Sequence, residues 1–292
     1  MSLASAAIVS AESILALTPI VIKKTPLDPT SAIWSRILSS AVLGYGLTSD
    51  RTLLPKEWAG ATALGYTNLL HVASSYESFR HLPAGQAMSL LYTYPLWNLV
   101  LNHLLNGEVI ERREYGYMGL ATVGAVLLNM DPGIAAPTAL GREVNPRWGV
   151  FMGIIMALTE SGMHAILKGL NWLDPAKSVW VVNTSASVWF GLALFVQELI
   201  QNGKHDPVLE SGSWWDAVLL TAFHSVTLFS GYWLRFYAVP RLSTVTYSFF
   251  SYAGLFASYL YGLVFMGERP GWMSLLGALV IVGAGLALQI KK

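Results

Sequence analysis

The feature that most constrains this chain is a succession of apolar stretches, each about as long as a bilayer is thick. A helix that crosses the hydrocarbon core needs about 20 mostly apolar residues. Ten such runs follow one another, near residues 2–22, 30–49, 57–79, 83–106, 113–130, 147–170, 175–200, 213–237, 242–266 and 271–290. They leave only short connections within 292 residues, and no room for a folded domain outside the membrane. Only 12% of the residues are charged, about half the ~25% of a soluble domain, and mean hydropathy is +0.49. The expected fold is an all-α membrane protein of ten transmembrane helices. The first run is not a signal peptide, because it has no basic leader and Glu12 interrupts its apolar stretch.

Several function classes fall away at once. A net charge of +1 attracts no polyanion, so nucleic acid is not an expected partner. The absence of cysteine excludes disulfide frameworks, thiolate chemistry and cysteine–zinc sites. No HExxH pair, P-loop, nucleophile elbow or GxGxxG opening a βαβ unit is present. No cofactor or metal is therefore expected, and ATP-driven transport within this chain is not. The expected partners are the lipid bilayer and a small-molecule substrate, with a homodimer left open.

Self-similarity divides the ten runs. The segment 81–108 aligns without a gap to 241–268, matching Leu82 with Leu242, Tyr92 with Tyr252, Gly107 with Gly267 and Glu108 with Glu268. Leu27-Asp28-Pro29 with Trp34 recurs as Leu173-Asp174-Pro175 with Trp180. The Pro/Gly-rich stretch 131–146 lies between the copies and reads as a linker. The chain thus divides into a first repeat at 1–130, the linker, and a second repeat at 147–292. Five spans per half force the second copy to enter the membrane from the opposite side, so the repeats are expected to be inverted. Inverted repeats are a common architecture of secondary transporters that work by alternating access. With both termini inside, eight basic residues (Arg51, Lys56, Arg112, Arg113, Lys177, Arg241, Lys291 and Lys292) face the inner side. Seven (Lys23, Lys24, Arg80, Arg142, Arg147, Lys204 and Arg269) face the outer side. That excess of one puts the termini in the cytoplasm, and leaves plasma or organelle membrane undecided.

In length, duplication and motif the chain resembles the drug/metabolite transporter superfamily, in its ten-helix EamA-like branch. Gly107-Glu108 precedes Gly116, Gly119 and Gly124, and Gly267-Glu268 precedes Gly277, Gly283 and Gly285, as in the family's half-repeats. Tyr94-Pro95 resembles the family's usual proline in the fourth span, whereas the second-half counterpart is Gly254-Leu255. The resemblance implies a transporter whose cavity is lined by its first, third, fourth, sixth, eighth and ninth helices. On that basis Glu12, Asn68, His71, Tyr94, Asn98, Glu160, His164, His224 and Tyr247 are candidate substrate-binding residues.

Ionisable groups inside a span cost at least about 2.5 kcal/mol at the bilayer centre, so each demands a reason. Glu12 and Glu160 lie at similar depths in the two equivalent first helices. Each could be a structural hydrogen-bonding group, or could bind substrate or a coupling proton. Glu160, His164 and Lys168 form one four-residue stripe, with Lys168 near enough to the helix end to snorkel. Asn68 with His71, and Tyr94 with Asn98 and Asn102, form further polar stripes that packing explains as well as binding does. Arg36 and Arg235 read as ion-paired or snorkelling, and Glu108 and Glu268 as helix-end caps or anchors. Trp58, Trp148, Trp214, Trp215 and Trp272 fall at span ends, where interfacial belts form.

The function these features favour is a secondary transporter, and not an enzyme. Its cargo would be a small polar metabolite, amine-bearing or zwitterionic, exchanged against a proton at Glu12 and Glu160. An organic anion becomes the better cargo if Arg36, Lys168 or Arg235 reaches the cavity. The competing readings are an intramembrane enzyme using Glu160 and His164 as acid and base on a lipid-linked substrate, and a non-transporting scaffold or receptor.

Overall fold

Short polar residues followed by proline fix where several helices begin. Asp28, Asn145 and Asp174 each precede a proline, and their side chains accept from the N–H of Ser31 (2.9 Å), Trp148 (3.1 Å) and Ala176 (2.9 Å). The proline forfeits nothing, because the first N–H of a helix has no partner within it.

A computed structural model describes residues 2–82, 84–127, 145–201, 213–267 and 271–290. Among these residues every element is helical. The first part contains α1 (Leu3–Leu15), α2 (Thr18–Lys24), α3 (Pro29–Leu47), α4 (Trp58–His81), α5 (Ala84–Leu91), α6 (Tyr94–Asn106) and α7 (Arg112–Leu127). The second contains α8 (Pro146–Leu170), α9 (Pro175–Gln201), α10 (Trp214–Phe223), α11 (Phe229–Ala238), α12 (Thr244–Ser251), α13 (Ala253–Tyr261) and α14 (Trp272–Ile290). A π turn at His224–Leu228 joins α10 to α11, and another at Gly262–Met266 extends α13. Most of the expected linker, and Glu268, lie outside the described residues.

Five segments are long and apolar enough to cross a membrane: Leu3–Lys24, Pro146–Leu170, Pro175–Gln197, Trp214–Arg241 and Thr244–Phe265. Helices α3, α4, α5 with α6, α7 and α14 occupy the other five expected runs. Helix α4 has 24 residues, about 36 Å at 1.5 Å each. Its hydropathy is depressed by Asn68, His71, Ser74, Ser75 and Ser78, all turned inward. Large apolar side chains including Val42, Val123, Phe195, Leu219, Val226 and Leu279 point outward instead. Hydrocarbon accommodates such a surface, whereas contiguous apolar patches of that kind are rare in water. The five tryptophans expected at span ends are all exposed.

The paired repeat positions share backbone shapes. Leu82 and Leu242 end their helices in extended conformations, at φ −122°, ψ 155° and φ −118°, ψ 150°. Gly107 and Gly267 both cap a helix in the left-handed region, at φ 64° and 68°, where a Cβ would be strained. Tyr92 and Tyr252 each lie where a helix breaks, and their rings are 6.3 Å apart. The second break occurs without a proline. Packing is reciprocal too: α4 lies on α8 as α11 lies on α1, and α6 lies on α8 as α12 and α13 lie on α1. Helix α3 packs on α9, and α7 on α14.

Candidate functional site

Glu12 of α1 and Glu160 of α8 are brought together by one cation. Arg235 of α11 donates from Nε (3.0 Å) and Nη2 (2.6 Å) to Oε1 of Glu12, and from Nη1 to Oε1 of Glu160. All three side chains are at most 5% exposed. Tyr92 donates to the second oxygen of Glu12 at 2.9 Å, and Tyr94 to the first at 3.2 Å. Glu12 is therefore saturated. Glu160 is not: its Oε2 has no hydrogen bond among the described residues, and lies 3.4 Å from Nε2 of His71. His71 is held through Nδ1, 3.1 Å from the Met156 carbonyl.

Next to this cluster lies a cavity with about 390 Å³ of space not filled by atoms, counting its open mouth. Glu12, Arg36, His71, Tyr92, Tyr232 and Arg235 supply its polar wall, and Leu15, Phe79, Met88, Leu91 and Leu228 much of its apolar one. Arg36 of α3 donates from Nη2 to the Tyr232 hydroxyl at 2.7 Å, with its guanidinium 5.4 Å from that ring's centroid. No carboxylate among the described residues forms an ion pair with it. The expectation that Arg36 is ion-paired or snorkels is thus corrected: it is buried and lines the cavity. Arg235 is ion-paired, as the sequence allowed, and is buried at the core.

The other candidate residues separate into three places. Asn98, His164 and Tyr247 gather one helical turn beyond the cluster. There Asn102 donates to the Asn98 carbonyl (2.9 Å) and to Nδ1 of His164 (3.0 Å). Asn98 donates to Ser248 at 3.2 Å, and the His164 ring lies 4.4 Å from that of Tyr247. Asn98 Oδ1 and His164 Nε2 have no hydrogen bond among the described residues. Asn68 instead contacts Asn183 of α9 at 3.4 Å, in a helix interface away from the cavity. His224 lies in the π turn between Ser35 (2.9 Å) and Tyr76 (3.2 Å). Full convergence of the polar stripes is therefore not found. Glu12, His71, Tyr94 and Glu160 meet; Asn68 and His224 lie elsewhere.

The stripe on α8 ends at a second charged cluster. Lys168 does not snorkel. Its Nζ donates to Glu108 Oε1 (3.2 Å), the Leu242 carbonyl (3.2 Å) and Thr244 Oγ1 (2.8 Å). Glu108 in turn accepts from the Thr244 N–H at 3.2 Å and from its hydroxyl, capping the start of α12. This fits its expected anchoring place at a helix end. Partial burial raises the Glu108 pKa, but the two bonds from Thr244 and the Lys168 charge outweigh it and hold the carboxyl below its ordinary value.

Sequence reasoning marked Tyr92 only as the repeat counterpart of Tyr252, and missed Tyr232, which looked like one aromatic residue among many. Among the described residues, no group of three or more His, Asp or Glu is placed to hold a metal ion.

Comparison with known proteins bears on this geometry. Residues 2–130, less than half of the 292, match the EamA-like transporter family. One solved structure, titled "Crystal structure of protein", aligns with a TM-score of 0.74 over 99% of this chain and 99% of its own, at 13% identity. At that identity the likeness shows the fold alone. No curated protein matches. Residues 2–130 are thus similar to the EamA-like transporter family, and the long apolar helices are those of an integral membrane protein.

Proposed function

We propose that this protein is a secondary transporter of small zwitterionic metabolites, built from ten spans in two inverted five-helix halves that rock about the central cavity. The observation that carries the cargo assignment is unspent charge on the cavity wall, at Arg36, and directly behind it, at Glu160 beside the lining residue His71. Arg36 is a lining cation without a carboxylate partner among the described residues, and Glu160 Oε2 is a carboxylate oxygen without a hydrogen bond. A substrate carboxylate on Arg36 and an ammonium towards Glu160 would satisfy both. A purely cationic amine would face Arg36, and a dicarboxylate would face the Glu12–Glu160 side. Arg36 and Arg235 do reach the cavity, the condition that favours an organic anion, but Arg235 is already shared between two carboxylates. Among the described residues that leaves one cation without a carboxylate partner and one carboxylate oxygen without a hydrogen bond.

Support for inverted halves comes from the matched caps at Gly107 and Gly267 and from the reciprocal packing of α4 on α8 and α11 on α1. Such reciprocity is what a two-fold relation between halves requires. Of the two carboxylates expected to couple protons, Glu12 is fully bonded and Glu160 is the one with capacity to exchange. Against an acid/base enzyme, Glu160 and His164 have separate neighbours, Arg235 with His71 in one case and Asn102 with Tyr247 in the other.

The test is uptake into proteoliposomes, read by mass spectrometry, from a panel of neutral amino acids, quaternary amines and dicarboxylates. Zwitterions should accumulate, and Arg36→Met should reduce their uptake by about tenfold or more, the worth of a charged hydrogen bond. Uptake confined to quaternary amines, or unaffected by Arg36→Met, would overturn the assignment.

A further inference from the structure

The contact between His71 and Glu160 lacks a proton on any ordinary assignment of charge. The Met156 carbonyl can only accept, so Nδ1 of His71 must carry its hydrogen. In a neutral ring Nε2 is then a bare lone pair, and it faces Glu160 Oε2 at 3.4 Å. An ionised carboxylate also offers only lone pairs. Neither group can turn away, because the ring is tied to the main chain of α8 and the carboxyl's other oxygen to Arg235. Both side chains are about 5% exposed or less, and 3.4 Å leaves no space for an intervening water. Two acceptors pressed together out of water repel, at a cost the fold has no visible means to offset.

We infer that one proton is bound in this gap, and that His71 and Glu160 form a proton-binding site joining α4 to α8. As imidazolium against carboxylate, or as carboxylic acid donating to Nε2, the pair carries the same extra charge. The charged and titratable groups around it are Glu12 from α1, Arg36 from α3, Tyr92 and Tyr94 from the α5–α6 junction, and Tyr232 and Arg235 from α11. His164, one turn further along α8, is occupied with Asn102. Lys177 of α9 pairs with Asp50, in the connection after α3.

Charge counting gives the site a use. Arg36 and Arg235 balance Glu12 and Glu160, so the cluster is neutral without the proton and carries one positive charge with it. In the empty cavity the clash of lone pairs holds the proton despite that net charge, and a ligand carboxylate on Arg36 cancels it. A ligand with a carboxylate alone therefore binds Arg36 with the proton retained. A zwitterion, whose ammonium reaches Glu160 Oε2, sends the proton to solution. The net charge of the ligand sets how many protons stay with it. This second step rests on the proposed function; the proton site itself does not.

The proton is sought directly in protein with ¹⁵N-labelled histidine, reconstituted in lipid nanodiscs and followed by NMR across pH, with infrared spectroscopy of the Glu160 carboxyl. At neutral pH, wild type should show His71 protonated at both nitrogens, or a protonated carboxyl band that Glu160→Gln removes. In Glu160→Gln the amide N–H fills the gap, and His71 should stay neutral throughout. In His71→Gln an amide donor takes the proton's place, and the folded protein should lose the corresponding pH step. A bare Nε2 beside an ionised Glu160 at neutral pH would overturn the site. Glycine and propionate, added in weak buffer with a pH indicator, test the second step: glycine should release about one proton per protein and propionate none. Equal release by both would overturn the charge rule while leaving the NMR result standing. Zwitterion uptake by a protein lacking the proton signature would sink the proton site and spare the transporter.

Discussion

The centre of the bundle and its rim each hold a charged cluster, and they differ in what can replace a lost bond. At the centre Arg235, Glu12 and Glu160 are at most 5% exposed, and Tyr92, Tyr94 and His71 close round the carboxylates. At the rim Lys168 and Glu108 are 19% and 24% exposed, so water can take over whatever either lets go. Breaking a buried pair leaves an unsolvated charge, whereas a wet pair is worth little net. The central cluster therefore suits a fixed core that holds α1, α8 and α11 together. The rim cluster, joining the end of α8 to the start of α12 through Glu108, suits a contact that opens and closes in the rocking motion we propose.

The largest effect should come from Arg235→Met, which strands two carboxylates. A loss of about 3–5 kcal/mol is expected, read as a large fall in the unfolding temperature of the detergent-solubilised protein. Adding Glu12→Gln and Glu160→Gln should recover much of it. An Arg235→Met protein as stable as wild type would erase the distinction between centre and rim.

Next comes Gly254→Ala, which tests how tightly the centre is built. A Cβ there would lie 1.9 Å from the Tyr92 hydroxyl and 2.9 Å from the Glu12 carbonyl. Helix α13 can lie against α1 only without that carbon. Overpacking of this kind costs about 1–3 kcal/mol, and it should also push the Tyr92 hydroxyl off Glu12. A substitution without effect on stability would mean that the centre yields more readily than its contacts imply.

The same contrast explains what was legible in the sequence. Helix starts at Asp28-Pro29 and Asp174-Pro175, and left-handed caps at Gly107 and Gly267, depend on a few neighbouring residues and could be read locally. Glu12, His71, Tyr94 and Glu160 announced themselves through the cost of polar groups in a span, and they do meet. Their partners could not be read. Arg235 looked superficial because depth was counted from an expected span end at 237, whereas the apolar segment runs through a π turn to Arg241. The α8 stripe was read as one face, yet each four-residue step turns about 40° beyond a full circle. Over Glu160, His164 and Lys168 that drift directs the three residues to three different neighbourhoods. Asn68 lies three residues before His71 on the same helix and still faces α9.

Smaller effects should come from the rim and from the connection after α3. Lys168→Met should cost about 1 kcal/mol or less, with a larger effect on uptake rate than on stability if the contact acts as a gate. The surrounding carboxylates give it a pH signature. Glu108 is held low by Thr244 and Lys168 against partial burial, and Asp50 by the Thr52 hydroxyl and N–H and then by Lys177. A depressed carboxylate contributes stability that is present above its unfolded pKa, about 4, and is lost as pH falls through the folded value. The unfolding temperature should therefore decline in acid below about pH 4, and less so in Glu108→Gln. An identical acid profile in that variant would detach Glu108 from the rim's stability.

The smallest effect expected is that of Asn68→Ala, and it bears most directly on which polar residues serve the cavity. Asn68 shares the buried face of α4 with His71, but its amide meets Asn183 at 3.4 Å, a long bond between neighbouring helices. Asn183 keeps a second bond to the Val179 carbonyl at 2.8 Å when Asn68 is lost. Interhelical hydrogen bonds inside membranes average about 0.6 kcal/mol, so the unfolding temperature should move slightly and the KM for any transported zwitterion not at all. His71→Gln, three residues on, should leave the helix intact and change the pH dependence of uptake. A KM shift in Asn68→Ala comparable to that of Arg36→Met would mean that the cavity extends along α4 into the α9 interface, and that the polar stripe acts as a single surface.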